Sequence, residues 1–169
     1  YIGYWQLVNA VDIFVLFDDV NFVKKSFINH NSLLLNGQSY QFTLELLGAS
    51  QNKLINEIEI GKNAKKILKT IEQNYKNAPY FEIVFPILED IFNCEENNLA
   101  RFIGFSFNLV SNYLRINTQF IYSSDVKKES HLKGQNKIRA ICNILKANQY
   151  INMIGGKKLY DKELIDANN

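Results

Sequence analysis

Two adjacent carboxylates, Asp18 and Asp19, follow the apolar run "VDIFVLF" at residues 11–17, and the chain then adds Lys24, Lys25, Asn29, His30 and Asn31. Asp is a poor strand former, and a carboxylate buried without a partner costs several kcal/mol. These side chains therefore need partners, water or a ligand. A carboxylate can bind an amine or take its proton, lysines can hold an anionic group, and an imidazole can carry a proton near neutral pH. Two readings stay open. In the first, the carboxyl end of a parallel strand presents Asp18 and Asp19 to a ligand. In the second, Asp18 caps the next turn, Asp19 pairs with Lys24 or Lys25 for under about 1 kcal/mol, and His30 is a hydrogen-bonded structural residue.

Two further stretches hold chemistry-bearing types. In "MIGGKKLYD", Gly155 and Gly156 can bring backbone N–H groups close to a phosphate or carboxylate, with Lys157 and Lys158 adding charge. A tight turn that needs positive φ explains the double glycine equally well. In "YSSD", Ser123 and Ser124 follow a strand, where they can donate to a ligand at the same sheet edge or cap a turn. No G-x-S-x-G elbow, Walker loop or H-E-x-x-H motif occurs.

The elements that must position these groups follow from periodicity. Residues 3–10 read as a short helix, and "VDIFVLF" as a strand covered on both faces. Asn36-Gly37 between two apolar runs predicts a type I′ hairpin. "INEIEI" at residues 55–60 alternates as a half-exposed strand. Ile67, Leu68, Ile71 and Tyr75 mark an amphipathic helix ended by Asn77-Ala78-Pro79, and residues 80–114 give two more helices broken near 93–98. "TQFIYSS" is a strand, residues 134–148 a helix with Ile138, Ile141, Cys142 and Leu145 on one face, and "QYINMI" a last strand. Strand, helix, strand from 119 to 154 favours a parallel crossover. The fold class is α/β, a mainly parallel sheet flanked by helices, with a hairpin insertion and a helical middle. The aromatic stretches "TIEQNYKNAPYF" and "RFIGFSFNLV" read as core packing.

At 169 residues the chain suits one domain with a sizeable core. A formal net charge of +2 with scattered lysines lacks the concentrated footprint that phosphate-backbone binding needs, so nucleic acid is not an expected partner. Cys94 and Cys142 stand alone, with no metal-ligand spacing, which fits a reducing compartment. No apolar stretch approaches the roughly 20 residues of a membrane span. A cytoplasmic location is the expectation.

The ordered series "YIGYWQLVNAVDIFVLFDDVNFVKKSFINHN", "INEIEI", "TIEQNYKNAPYF", "FNCEENNL", "YSSD" and "YINMIGGKKLYD" resembles the WbqC-like family over essentially the whole chain. That resemblance implies a role in bacterial surface polysaccharide or O-antigen synthesis, as a transferase adding glycine or another aminoacyl or acyl group to a nucleotide-linked or lipid-linked amino sugar. Its alternative is a non-catalytic module that binds a sugar nucleotide or a partner enzyme of the same pathway. Asp19, His30 and Asp18 are the catalytic candidates. Tyr4, Lys24, Lys25, Asn29, Asn31, Ser123, Ser124, Gly155, Gly156 and Tyr160 are the substrate-binding ones, and no metal ligand is named. Amide formation needs an activated acyl group, which ATP with magnesium or a charged carrier can supply. Family members usually open with a strand and a Gln-Pro segment before the equivalent of Tyr1, and they continue past Asn169, so both ends are expected to be missing. The opening "IGY" also looks loosely like the phosphate-binding first turn of nucleotidylyltransferase-type α/β folds, an analogy that places the missing strand beside "VDIFVLF". Lys25 and His30 stand where Arg is usual and Phe27 where Trp is usual, and a lysine lacks the planar fork that grips an anion in two places. Asp19, the Lys24-Lys25 pair, His30 and the Gly155-Gly156 turn are expected to line one concave surface.

Overall fold

The computed structural model describes residues 2–153. Helix α1, Ile2–Asn9, leads into strand β1, Ile13–Leu16. Strands β2 (His30–Leu35), β3 (Gln38–Thr43), β4 (Leu46–Leu47) and β5 (Glu59–Ile60) follow. Helices α2 (Ala64–Tyr75), α3 (Phe81–Asn93) and α4 (Leu99–Leu114) fill the middle of the chain, before strand β6 (Gln119–Tyr122) and helix α5 (Gly134–Ile144). The class is α/β, with short sheets. Contacts divide the chain into two units, one of Tyr1–Phe17 and Ile116–Asn169, the other of Asp18–Arg115.

In the first unit β1 and β6 run parallel, with Ile13 opposite Gln119 and Leu16 opposite Tyr122. Parallel strands need a long connection, and here the whole of the second unit is inserted between them. The ladder is anchored at its start, where the Gln119 N–H donates to the Asp12 carbonyl at 2.9 Å and the Thr118 hydroxyl lies 2.7 Å from the Val8 carbonyl. Helix α5 buries Ile138 and Ile141, the face its spacing predicts.

The parallel layer is one pair of strands among the described residues, smaller than the sheet the sequence implies. The expected strand "QYINMI" does not form over residues 149–153. Its backbone donor is taken locally, since the Asn152 side-chain oxygen accepts the Met153 N–H at 2.7 Å.

In the second unit the Asn36-Gly37 hairpin forms, with φ of 50° and 77° at its two central residues. One face of it packs on α2. The Tyr75 hydroxyl accepts the Leu34 N–H at 2.9 Å, and Leu33 and Phe42 lie against a core of Leu44, Ala64, Ile67, Ile71, Ile91 and Phe102. Asn63 joins the end of the hairpin to the start of α2, donating to the Thr43 carbonyl and accepting the Glu45 N–H, each at 2.8 Å. A smaller core of Phe22, Ile58 and Leu99 lies beside the first turn of α4.

The alternation of "INEIEI" does not give one continuous strand. Residues Ile55–Glu57 form a turn of 3-10 helix, and only Glu59–Ile60 are extended and paired, with β4. The Glu57 carboxylate folds back to accept the Leu54 N–H at 2.8 Å, which curls the segment before it can extend.

Gly37 has positive φ, and a Cβ there would meet nothing within 4 Å, so substitution strains only the backbone. Gly37→Ala is expected to lower unfolding stability by about 1 kcal/mol, with Asn36→Gly near neutral, in urea denaturation.

Candidate functional site

In the second unit Asp18 is only 3% exposed. Its Oδ2 accepts the Asn56 side-chain amide at 3.3 Å, and its carbonyl accepts the Asn56 N–H at 3.1 Å. The Val20 carbonyl then accepts from Ile55, and the Phe22 N–H donates to Lys53, so residues 18–22 lie antiparallel along 53–56. Asn56 passes the connection on. Its carbonyl accepts the Asn98 amide at 2.7 Å, while the Asn98 side-chain oxygen accepts the Arg101 N–H and caps α4. The first carboxylate of the pair is thus held by a polar relay that ends on a helix N-terminus.

Asp19 is half-buried, and Lys24 and Lys25 are exposed, Lys25 with a left-handed φ of 60°. Phe27, close behind them, is 80% exposed. Asn29 and Leu44 are doubly joined, the Asn29 amide and the Leu44 N–H each donating to the other's carbonyl at 2.8 Å. His30 Nδ1 lies 2.6 Å from the hydroxyl of Thr43, its partner in the hairpin register. Asn31 is exposed and accepts the Ser32 N–H. Asn29 and His30 therefore close the base of the hairpin. The Asn29 Oδ1, however, is buried with no hydrogen-bond partner among the described residues.

In the first unit Ser123 is fully buried just after β6, and its carbonyl accepts from the Val126 N–H and the Lys128 ammonium. Its Oγ is also buried without a hydrogen-bond partner among the described residues. Ser124 is exposed. Lys137, 7% exposed, stands with its Nζ 5.8 Å from the centroid of the Phe17 ring, close enough for a cation–π contact. Tyr4 packs edge-on against Phe14 at 5.7 Å, and burial holds its phenol above the ordinary value, so it is a neutral hydrogen-bonding group at physiological pH. A cavity of about 650 Å³ runs along β1, with Phe14, Phe17, Ile141 and Cys142 among its walls. Burial pushes the Cys142 thiol up, against a smaller opposing effect of a backbone hydrogen bond. Cys94 and Cys142 are both free thiols. Gly155, Gly156, Lys157, Lys158 and Tyr160 lie outside the described residues, as does the surface expected to include the glycine turn.

Among the described residues no group of three or more His, Cys, Asp or Glu stands where it can hold a metal ion, and no helix is long and apolar enough to cross a membrane. A model of the WbqC-like protein family matches residues 1–169. The chain belongs to that family. It is similar to the uncharacterized protein Rv1507c of Mycobacterium tuberculosis, 23% identical over 168 residues that cover 97% of this chain and 72% of that protein. No solved structure matches.

Sequence reasoning singled out the acidic pair of this WbqC-like chain but missed the two asparagines that hold it. Asn56 was hidden inside an alternating segment. Asn98 carried a legible signal, an Asn directly before an apolar-periodic run, the usual mark of a helix cap. Lys137 was passed over because lysine on an amphipathic helix reads as solvent-facing, although its long stem buries readily.

Removing the Asp18 acceptor leaves a half-buried amide without its bond. Asp18→Ala is expected to cost about 1–3 kcal/mol in urea denaturation, far more than a surface carboxylate would.

Proposed function

We propose that this WbqC-like protein transfers an aminoacyl or acyl group, such as glycine, to the amine of a nucleotide-linked or lipid-linked amino sugar during cytoplasmic steps of bacterial surface polysaccharide synthesis, O-antigen included. The observation that carries the reading is the buried Oδ1 of Asn29, which has no hydrogen-bond partner among the described residues and belongs to a residue the sequence puts forward for substrate binding beside the acidic loop. Buried polar atoms are ordinarily satisfied, and a polyhydroxylated sugar brings the donors and acceptors that satisfy them.

In this reading Asp19 binds the sugar amine and takes its proton as the nitrogen attacks the acyl carbonyl carbon. The bond to the donor's leaving group then breaks, and that group departs with the electron pair. Asp18 keeps the loop in place through Asn56. Lys24 and Lys25 hold an anionic part of substrate or donor, together with Gly155 and Gly156, while Tyr4, Asn31, Ser124 and Tyr160 add polar contacts. The acyl group has to arrive activated, either by ATP with magnesium or on a charged carrier. The Asp18-Asp19 pair does not fit a magnesium site, because Asp18 is buried and committed to Asn56.

One observation favours the second reading, a non-catalytic module that binds a sugar nucleotide or a partner of the pathway. His30, the proton-carrier candidate, is engaged by Thr43 in the hairpin.

Both readings meet in one experiment, incubation with amino-sugar nucleotides and glycine donors, followed by mass spectrometry for the gain of a glycyl group. Asp19→Asn is expected to abolish turnover with the thermal midpoint nearly unchanged. Ser123→Ala is expected to keep or raise the midpoint, since it removes a buried, unsatisfied hydroxyl. Sugar binding by the wild-type protein with no turnover for any donor would favour the module.

A further inference from the structure

A groove of about 830 Å³ lies between residues 127–132 and the face of α5 that presents Asn136, Arg139 and Asn143. We propose that it binds the phosphate group of a phosphorylated ligand that also carries an apolar body. The inference does not rest on the transferase reading, since none of the groove's residues belongs to the acidic loop or the hairpin.

Three cations, Lys127, Lys128 and Arg139, line the groove against one acid, Glu129. That acid already has a neighbour of its own, with His131 Nε2 at 3.3 Å from its carboxylate. The Lys128 ammonium is fixed by the Ser123 carbonyl, which sets one cation in place before any ligand arrives. Arg139 is half-buried, and its Nε is enclosed with no hydrogen-bond partner among the described residues. A guanidinium presents its donors as a planar fork that matches two oxygens of one phosphate, and a small turn of the side chain gives the Nε an acceptor there. Asn136 and Asn143 stand about one turn before and one turn after Arg139 on the same helix face, and their amides add donors.

The groove is not polar throughout. Leu132, Ala140 and Ile144 contribute to its walls, and Ile144 is 46% exposed. A free inorganic anion leaves that surface uncovered, whereas a phosphate ester with a planar base or a hydrocarbon chain covers it. Two sources share this chemistry, a nucleotide and a lipid phosphate.

The test titrates the full chain at low salt with inorganic phosphate, uridine 5′-diphosphate and farnesyl diphosphate, following amide NMR signals of residues 127–144 and calorimetric affinity. The expected result is that at least one diphosphate shifts those signals and binds more tightly than inorganic phosphate. Added salt should weaken binding. Preference for the uridine compound identifies a nucleotide, and preference for the farnesyl compound a lipid phosphate. Arg139→Gln should weaken binding about tenfold, with Arg139→Lys recovering only part of the loss, because it restores charge without the fork. Lys127→Gln alters an exposed side chain, so it should weaken binding while leaving the thermal midpoint unchanged. No shift in residues 127–144 with any probe at millimolar concentration, or affinity unchanged in Lys127→Gln and Arg139→Gln, would overturn the proposal.

Discussion

The Asp18 carboxylate accepts the Asn56 amide where almost no solvent reaches it, and the Asn56 carbonyl in turn accepts the amide of Asn98 at the start of α4. A buried charge is tolerated only when hydrogen bonds replace its lost hydration. This requirement fixes three pieces of chain at once. The segment after β1 has to run beside 53–56, the 3-10 turn has to offer Asn56 inward, and α4 has to begin where Asn98 can both cap it and reach back. Around these polar contacts Phe22, Ile58 and Leu99 close a small apolar core, so the relay is sheltered by the packing it helps to align.

The same constraint separates the roles of two neighbouring carboxylates that look equivalent in sequence. Asp18 is spent on architecture, and Asp19, half-buried in the next position, inherits a fixed backbone. A rigid mount of this kind is what a binding or proton-transfer group needs, because small displacements of such groups are costly. The hairpin applies the same logic to Asn29 and His30, whose side chains and backbone are tied to Leu44 and Thr43. In the first unit, Ser123 is held through its carbonyl by Lys128 and the Val126 N–H, while its hydroxyl has no hydrogen-bond partner among the described residues.

Much of the architecture was legible. Asn36-Gly37 encodes its turn through the positive φ both residues adopt, and the helices α2, α4 and α5 declare themselves by apolar spacing that matches the faces they bury. The parallel partnership of β1 with β6 was not legible, since the apolar runs pointed to a crossover from β6 to "QYINMI" and the pairing spans the whole second unit. What else escaped was set by side chains competing for backbone groups. Glu57 turns "INEIEI" away from a continuous strand, and Asn152 takes a donor that a ladder at "QYINMI" would use. Periodicity counts apolar positions and is blind to such local bonds. The site was half legible for a related reason. Charged residues after a buried strand attract notice, whereas the amides that hold them look like ordinary polar positions.

The most direct test of this account is a double-mutant cycle on the relay, with Asp18→Ala, Asn98→Ala and the pair measured by urea denaturation. Residues joined through one hydrogen-bond network couple, so the two substitutions should depart from additivity by at least about 0.5 kcal/mol although they are linked only through Asn56. Additivity within about 0.3 kcal/mol would mean that Asp18 and Asn98 act independently, and that the acidic loop is not held by the start of α4.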